Sequence, residues 1–179
     1  TLRALDDLVT QGKVRYFGCS NFSAWQVCES VWTSRELGIQ TFISAQPHYS
    51  MLERNVEQEL IPFCGKYGVG ILPYFPLANG FLTGKYRKNS PPPEGSRLEA
   101  DNKGLFTEDN YALLEKLINF SEERGKTVLD LAFAWLLYNN DISSVIAGAT
   151  KPEQVISNAD AADWQLTDKE YEEVTQFLP

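Results

Sequence analysis

Four times along this chain a short apolar run meets a polar or glycine-bearing turn and then gives way to residues with helical periodicity. Few architectures accept that rhythm. Consecutive strand–helix units wind right-handed and place their strands parallel in one sheet with the helices outside. Two α/β arrangements satisfy it: an open doubly wound sheet, or half of an eight-stranded barrel. In both, ligands gather at the carboxyl ends of the strands.

The expected order begins inside a helix, where Leu2, Leu5, Leu8 and Val9 recur at helical spacing and Gly12 supplies a terminator. Thr1 opens within that pattern, with no loop before it, so the chain reads as part of something longer. A strand over 14–19 leads to Ser20-Asn21-Phe22, and Ser23 caps a helix over 24–37 that stops at Gly38. Trp25, Cys28, Val31 and Trp32 form its expected buried stripe. A second strand over 41–46 stops at Pro47, and a helix over 55–67 contains Pro62, which predicts a kink. The third strand opens at Ile71 and breaks at Pro76. Residues 78–106 form an irregular segment of the kind used as a lid or binding loop. Helices are expected from 107 or 109 to 124 and over 127–138, and a fourth strand over 143–147. Pro152 then sits at the first position of a helix running to about 162. Thr167 with Glu170 makes a capping box for the last helix.

Composition narrows the function classes. The 179 residues carry a net charge of -8 with no basic stripe, which argues against a nucleic-acid partner. No apolar run approaches the roughly 20 residues of a membrane span. Three cysteines with no CxxC spacing point to buried thiols in a reducing compartment, the cytoplasm.

The unusual residues fall at the expected strand ends. Ser20 and Asn21 offer a hydroxyl and an amide, and Gln46 offers a second amide at the next strand end. Such a set suits a carboxamide, as on nicotinamide, and Tyr74 provides a flat face for the ring. Gly80 and Gly84 let backbone approach a ligand closely, and Lys85 follows them with a cation. Gly148-Ala149-Thr150-Lys151 opens onto a helix N-terminus, where Thr150, Lys151 and Gln154 can reach a phosphate. Residues 80–85 are no P-loop: the spacing is one short, and Tyr86 replaces the magnesium-binding Ser or Thr. Gly68-Val69-Gly70 precedes a strand rather than a helix, so it is no dinucleotide fingerprint either. His48, the only histidine, reads first as a loop residue and only second as a general acid or base.

Four ordered motifs carry a resemblance: Gly18-Cys19-Ser20-Asn21-Phe22, Ala45-Gln46-Pro47, the run from Tyr74 to Tyr86, and the run from Ile146 to Val155. Together they resemble the C-terminal half of an aldo-keto reductase, of the branch with bacterial reductases and potassium-channel beta subunits. The resemblance covers the whole chain. It implies one partial domain over residues 1–179: the C-terminal half of a (β/α)8 TIM barrel, with about four parallel strands and flanking helices. It implies NADPH as cofactor, with Ser20, Asn21 and Gln46 on the nicotinamide carboxamide and Tyr74 stacked on the ring. The backbone of Phe75, Pro76, Leu77, Ala78 and Gly80, with Lys85 and Arg97, would wrap the pyrophosphate. Gly148, Thr150, Gln154 and Asn158 would meet the adenosine 2′-phosphate, with Lys151 as an addition. Phe75 stands where the family commonly has Ser, and Gln154 where some relatives have Arg, so NADH is admitted as well. The family's catalytic Asp, Tyr, Lys and His have no counterpart here, and no catalytic residue is assigned. The implied activity is hydride transfer from NADPH to a small carbonyl compound, an aldehyde or ketone. Two other readings are a non-catalytic, redox-sensing nucleotide-binding subunit and an inert fragment. Four strands leave barrel edges open, which predicts self-association or pairing with the other half-barrel.

Overall fold

The computed structural model describes residues 1–179. Its elements follow the expected order: α1 (Leu2–Thr10), β1 (Cys19–Ser20), α2 (Ala24–Leu37), β2 (Ser44–Gln46), α3 (Leu60–Tyr67), β3 (Gly70–Ile71), α4 (Glu108–Glu122), α5 (Val128–Leu137), α6 (Pro152–Asp160) and α7 (Asp168–Thr175). Three 3₁₀ turns fall between them, at Asn55–Glu57, Ala78–Thr83 and Ala161–Asp163. The sheet order is β1-β2-β3, all parallel, with Ser20 opposite Gln46 and Ala45 opposite Ile71. This is a parallel α/β arrangement consistent with part of a barrel.

The helix ends obey local chemistry. Ser23 with Gln26, Thr127 with Asp130, and Thr167 with Glu170 form reciprocal capping boxes. Gly38 and Gly68 terminate α2 and α3 in the left-handed conformation. Thr1 stands at the N-cap position of α1 without a side-chain capping bond.

The strands are shorter than their apolar runs, and the expected fourth strand is not a continuous ladder. Ser143 N–H donates to the Ile71 carbonyl at 2.9 Å, and Ile146 N–H donates to that of Pro73 at 2.9 Å. Between these bonds the alternating pattern calls for a donor at residue 73, and proline has none. The two donors on the partner segment, Ser143 and Ile146, then stand three positions apart rather than two. Only isolated parallel bridges survive, Ile71 to Ile142 and Tyr74 to Ile146. The expected helix over 55–67 is also divided, into a 3₁₀ turn and α3. Pro62 takes the third position of α3, where a missing N–H breaks no helical bond. Instead of running to about 162, α6 ends at Asp160 and passes into a 3₁₀ turn.

The core runs between sheet and helices. Most of α5 is buried, including Leu131, Trp135 and Leu136. Trp135 Nε1 donates to Thr175 Oγ1 at 3.0 Å, and Arg124 Nε pairs with Glu170 Oε1 at 2.9 Å, which ties α7 across α4 and α5. The stripe expected on α2 is corrected. Val27, Val31 and Ser34 face inward, whereas Trp25 and Trp32 stay 63% and 52% exposed. Trp32 lies beside α3 instead, its ring centroid 6.2 Å from that of Tyr67 and 5.2 Å from the Arg35 guanidinium.

Candidate functional site

The pairing of Ser20 with Gln46 places β1 and β2 ends side by side. Ser20 Oγ donates to the Gln46 carbonyl at 3.0 Å, and Asn21 N–H donates to the same oxygen at 3.3 Å. Asn21 has a φ of 58°, a left-handed conformation that asparagine tolerates better than most residues. That turn swings its side chain across the sheet. Asn21 Nδ2 donates to Ser20 Oγ at 3.2 Å, and Tyr74 Oη donates to Asn21 Oδ1 at 2.7 Å. Ser20, Asn21, Gln46 and Tyr74 therefore share one end of the sheet. Ser20 and Asn21 are exposed, while Gln46 and Tyr74 are half-buried. Beneath them Cys19 is buried, which raises its thiol pKa.

The chain leaves Tyr74 through a strained turn. Phe75, Ala78 and Asn79 all have positive φ, at 54°, 45° and 58°, and Gly80 has 92°. Side chains rarely adopt this region, and three such residues in five positions mark a backbone held by its surroundings. The turn closes through Ala78 N–H to the Phe75 carbonyl at 2.9 Å and Gly80 N–H to the Leu77 carbonyl at 2.8 Å. Pro76 and Ala78 are buried, and Leu77 is half-buried, so these side chains seat the turn. A Cβ at Gly80 would stand 3.6 Å from Lys85 Nζ, so that ammonium hangs over a glycine cradle. The Arg97 guanidinium sits 4.9 Å from the Phe75 ring centroid. Both cations are exposed and neither is paired with a carboxylate. Tyr86 and Leu98, both 1% exposed, root the long segment in the core and bring Arg97 back to the strand ends.

The fourth expected cluster follows the same sheet end. Gly148 and Thr150 lie just beyond Ile146, which bridges to Tyr74. Gln154 Oε1 accepts from Thr150 N–H at 2.7 Å and from Thr150 Oγ1 at 3.2 Å. The Gln154 carbonyl oxygen is thus committed to its own turn, leaving its amide N–H groups free to turn outward. Asn158 is half-buried and lines a cleft of about 370 Å³ between α5, residues 143–149 and α6. Lys151 is exposed at the N-cap of α6.

Two contacts went unread in the sequence. His48 stacks on Tyr74, and Arg97 stacks on Phe75. The first was implicit in the strand pairing, since the offset that sets Ala45 opposite Ile71 sets His48 opposite Tyr74. The second depends on a long loop and carries no local signal. No cluster of three or more His, Cys, Asp or Glu side chains is placed to hold a metal ion.

Fold and site together describe a parallel α/β protein whose polar, aromatic and cationic strand ends converge on one rim. The chain belongs to the Aldo/keto reductase family, which it matches over residues 1–179. It is 36% identical over 169 residues to a probable voltage-gated potassium channel subunit beta of Oryza sativa subsp. japonica, covering 91% of this chain and 51% of that protein. It is 34% identical over 191 residues to a putative subunit of the same kind from Schizosaccharomyces pombe, covering 99% and 55%. Similarity to L-glyceraldehyde 3-phosphate reductase of Escherichia coli is 32% over 185 residues, covering 99% and 53%. The chain thus spans about half the length of these relatives. The relatives in this family thus include both proteins named as channel subunits and a named reductase.

Proposed function

We propose that this chain supplies the cofactor-holding half of a (β/α)8 reductase that moves hydride from NADPH to an aldehyde or ketone. The observation that carries the reading is the Tyr74–Asn21–Ser20–Gln46 hydrogen-bonded chain at one sheet end, beside a glycine turn overhung by Lys85. The donor set fits the group. Ser20, Asn21 and Gln46 carry the hydroxyl and amides that a carboxamide needs, and Tyr74 offers a flat face. The turn from Phe75 to Gly80, overhung by the unpaired cations Lys85 and Arg97, suits a pyrophosphate in its charge. Gly148, Thr150, Gln154 and Asn158 suit the adenosine end, and Lys151 adds a cation. The amide of Gln154 in place of a guanidinium leaves room for NADH. When bound, the nicotinamide supplies the hydride.

The chain's own residues would bind and orient that ring rather than move the substrate's proton. The Tyr74 hydroxyl is already donated to Asn21. The Tyr49 hydroxyl is buried and donated to Glu57 at 2.8 Å, and burial with that carboxylate pushes its pKa upward, away from any acid role. Neither hydroxyl is therefore free to act as the proton donor, and the reading places that donor elsewhere. Free thiols at Cys19, Cys28 and Cys64 suit the cytoplasm.

A fluorescence titration tests this. NADPH is expected to quench tryptophan emission with saturation, and Tyr74→Ala to weaken binding about tenfold. Absence of quenching at millimolar NADPH would overturn the assignment. Oxidation of NADPH by an aldehyde with this chain alone would overturn the claim that the proton donor lies elsewhere. A second reading, a nucleotide-sensing subunit without catalysis, is favoured by relatives named as potassium channel beta subunits. It predicts NADPH binding by the complete protein with no turnover of any carbonyl compound.

A further inference from the structure

His48 is the only histidine, and the site described above leaves it without a task. It is half-buried, and its ring takes no hydrogen-bond partner in the protein. What it does touch is the Tyr74 ring, with centroids 5.3 Å apart and planes 13° from parallel. That is an offset stack, one of the favoured geometries of aromatic pairs. Tyr74 is then fixed from three directions. Its hydroxyl is bound to Asn21 at 2.7 Å, Phe75 meets it edge-on at 5.1 Å and 79°, and His48 covers a face. Phe75 also closes the edge of His48 at 5.5 Å and 84°, so the two stacked rings are braced together.

A phenol anchored by one hydrogen bond still rocks about its Cβ–Cγ axis, and a rocking ring is a poor platform for a second flat ring. We propose that His48 is a positioning residue: by covering one face of Tyr74 it fixes the plane of that ring and leaves the opposite face for nicotinamide. The proposal rests on the reading of Tyr74 as the ring platform given above. It needs a flat side chain at position 48 and no proton, since the imidazole nitrogens have no partner in the protein.

Four forms of the chain separate the possibilities: wild type, His48→Ala, His48→Leu and His48→Phe. Each is titrated by fluorescence with NADPH and with 2′-phospho-ADP-ribose, which lacks the nicotinamide. A lost stack of ordinary strength corresponds to roughly two- to tenfold in affinity. His48→Ala and His48→Leu are expected to weaken NADPH by that factor and leave 2′-phospho-ADP-ribose unchanged. His48→Phe is expected to restore NADPH affinity. Proton resonances of the Tyr74 ring should lose their ring-current shift in the Ala and Leu forms and keep one in the Phe form. Equal weakening of both ligands, unchanged NADPH affinity in His48→Ala, or failure of His48→Phe to restore it would each overturn the proposal while leaving the cofactor site standing. A wild-type chain that binds neither ligand would bring down the site and the proposal together.

Discussion

Asn21 joins two strand ends with one side chain, and its backbone pays a conformational penalty to do so. The left-handed φ costs a residue with an ordinary Cβ about 1 kcal/mol, and the bond from Tyr74 returns a similar amount. Asn21→Gly keeps the turn and loses the bond, so it should destabilise by about 1 kcal/mol in urea denaturation. Asn21→Ala should cost about 1 kcal/mol more, because it also strains the turn. Equal effects of the two would show that φ is not under strain. Cys64 makes a separate prediction. Burial pushes its thiol up to about 12 from an ordinary 9.0. Above pH 9 the unfolded thiol loses its proton while the native one keeps it, so stability present below 9 falls as pH rises toward 12. The urea midpoint of wild type should therefore drop more between pH 8 and 10 than that of Cys64→Val. Slow labelling of Cys64 by iodoacetamide at pH 8 would accompany it.

Glycines inside the elements set distances that larger residues would break. Gly65 lies within α3, where alanine is ordinarily the better helix former. Here a Cβ would stand 2.4 Å from Asp141 Oδ2, on the turn that leads into the fourth strand segment. The Asp141 carboxylate must swing aside to admit it, so Gly65→Ala should lose the gain of about 1 kcal/mol that alanine ordinarily brings to a helix, as read by thermal or urea unfolding. The double change Gly65→Ala with Asp141→Gly should recover part of the loss; no recovery would place the cause elsewhere. Helices were legible in the chain because their signals are local. Ser23, Thr127 and Thr167 announce starts with a partner three residues on, and Gly38 and Gly68 announce stops. Strand lengths were less legible. The run over 143–147 looks like a strand, yet Pro73 on its neighbour withholds the donor that a ladder would use there. Nothing within that run records its neighbour's proline.

At the scale of the molecule the sheet is open on both sides. β1 pairs only with β2, and segment 142–146 pairs only with β3 and its continuation. Large apolar side chains remain exposed near both borders, Val14 and Tyr16 by the first and Ile146, Val155 and Ile156 by the second. Open edges flanked by apolar surface invite pairing with another chain. The isolated 179-residue chain should accordingly self-associate, with a mass by light scattering that grows with concentration. Val155→Glu with Ile156→Lys should shift it toward monomer. A sharp monomer at all concentrations would contradict this. No helix is long and apolar enough to cross a membrane.

The chain's order of residues, taken alone, determined the succession of parallel βα units, the helix caps, and which side chains stand at strand ends. Those properties depend on periodicity and on contacts within a few residues. Only the tertiary structure decided that Tyr74 is bound to Asn21, covered by His48 and approached, through Phe75, by Arg97. It also decided that Trp25 and Trp32 face outward rather than into the core. Each of these depends on how separate strands align and how separate helices turn, and that alignment is set by the packing of the whole rather than by any one segment.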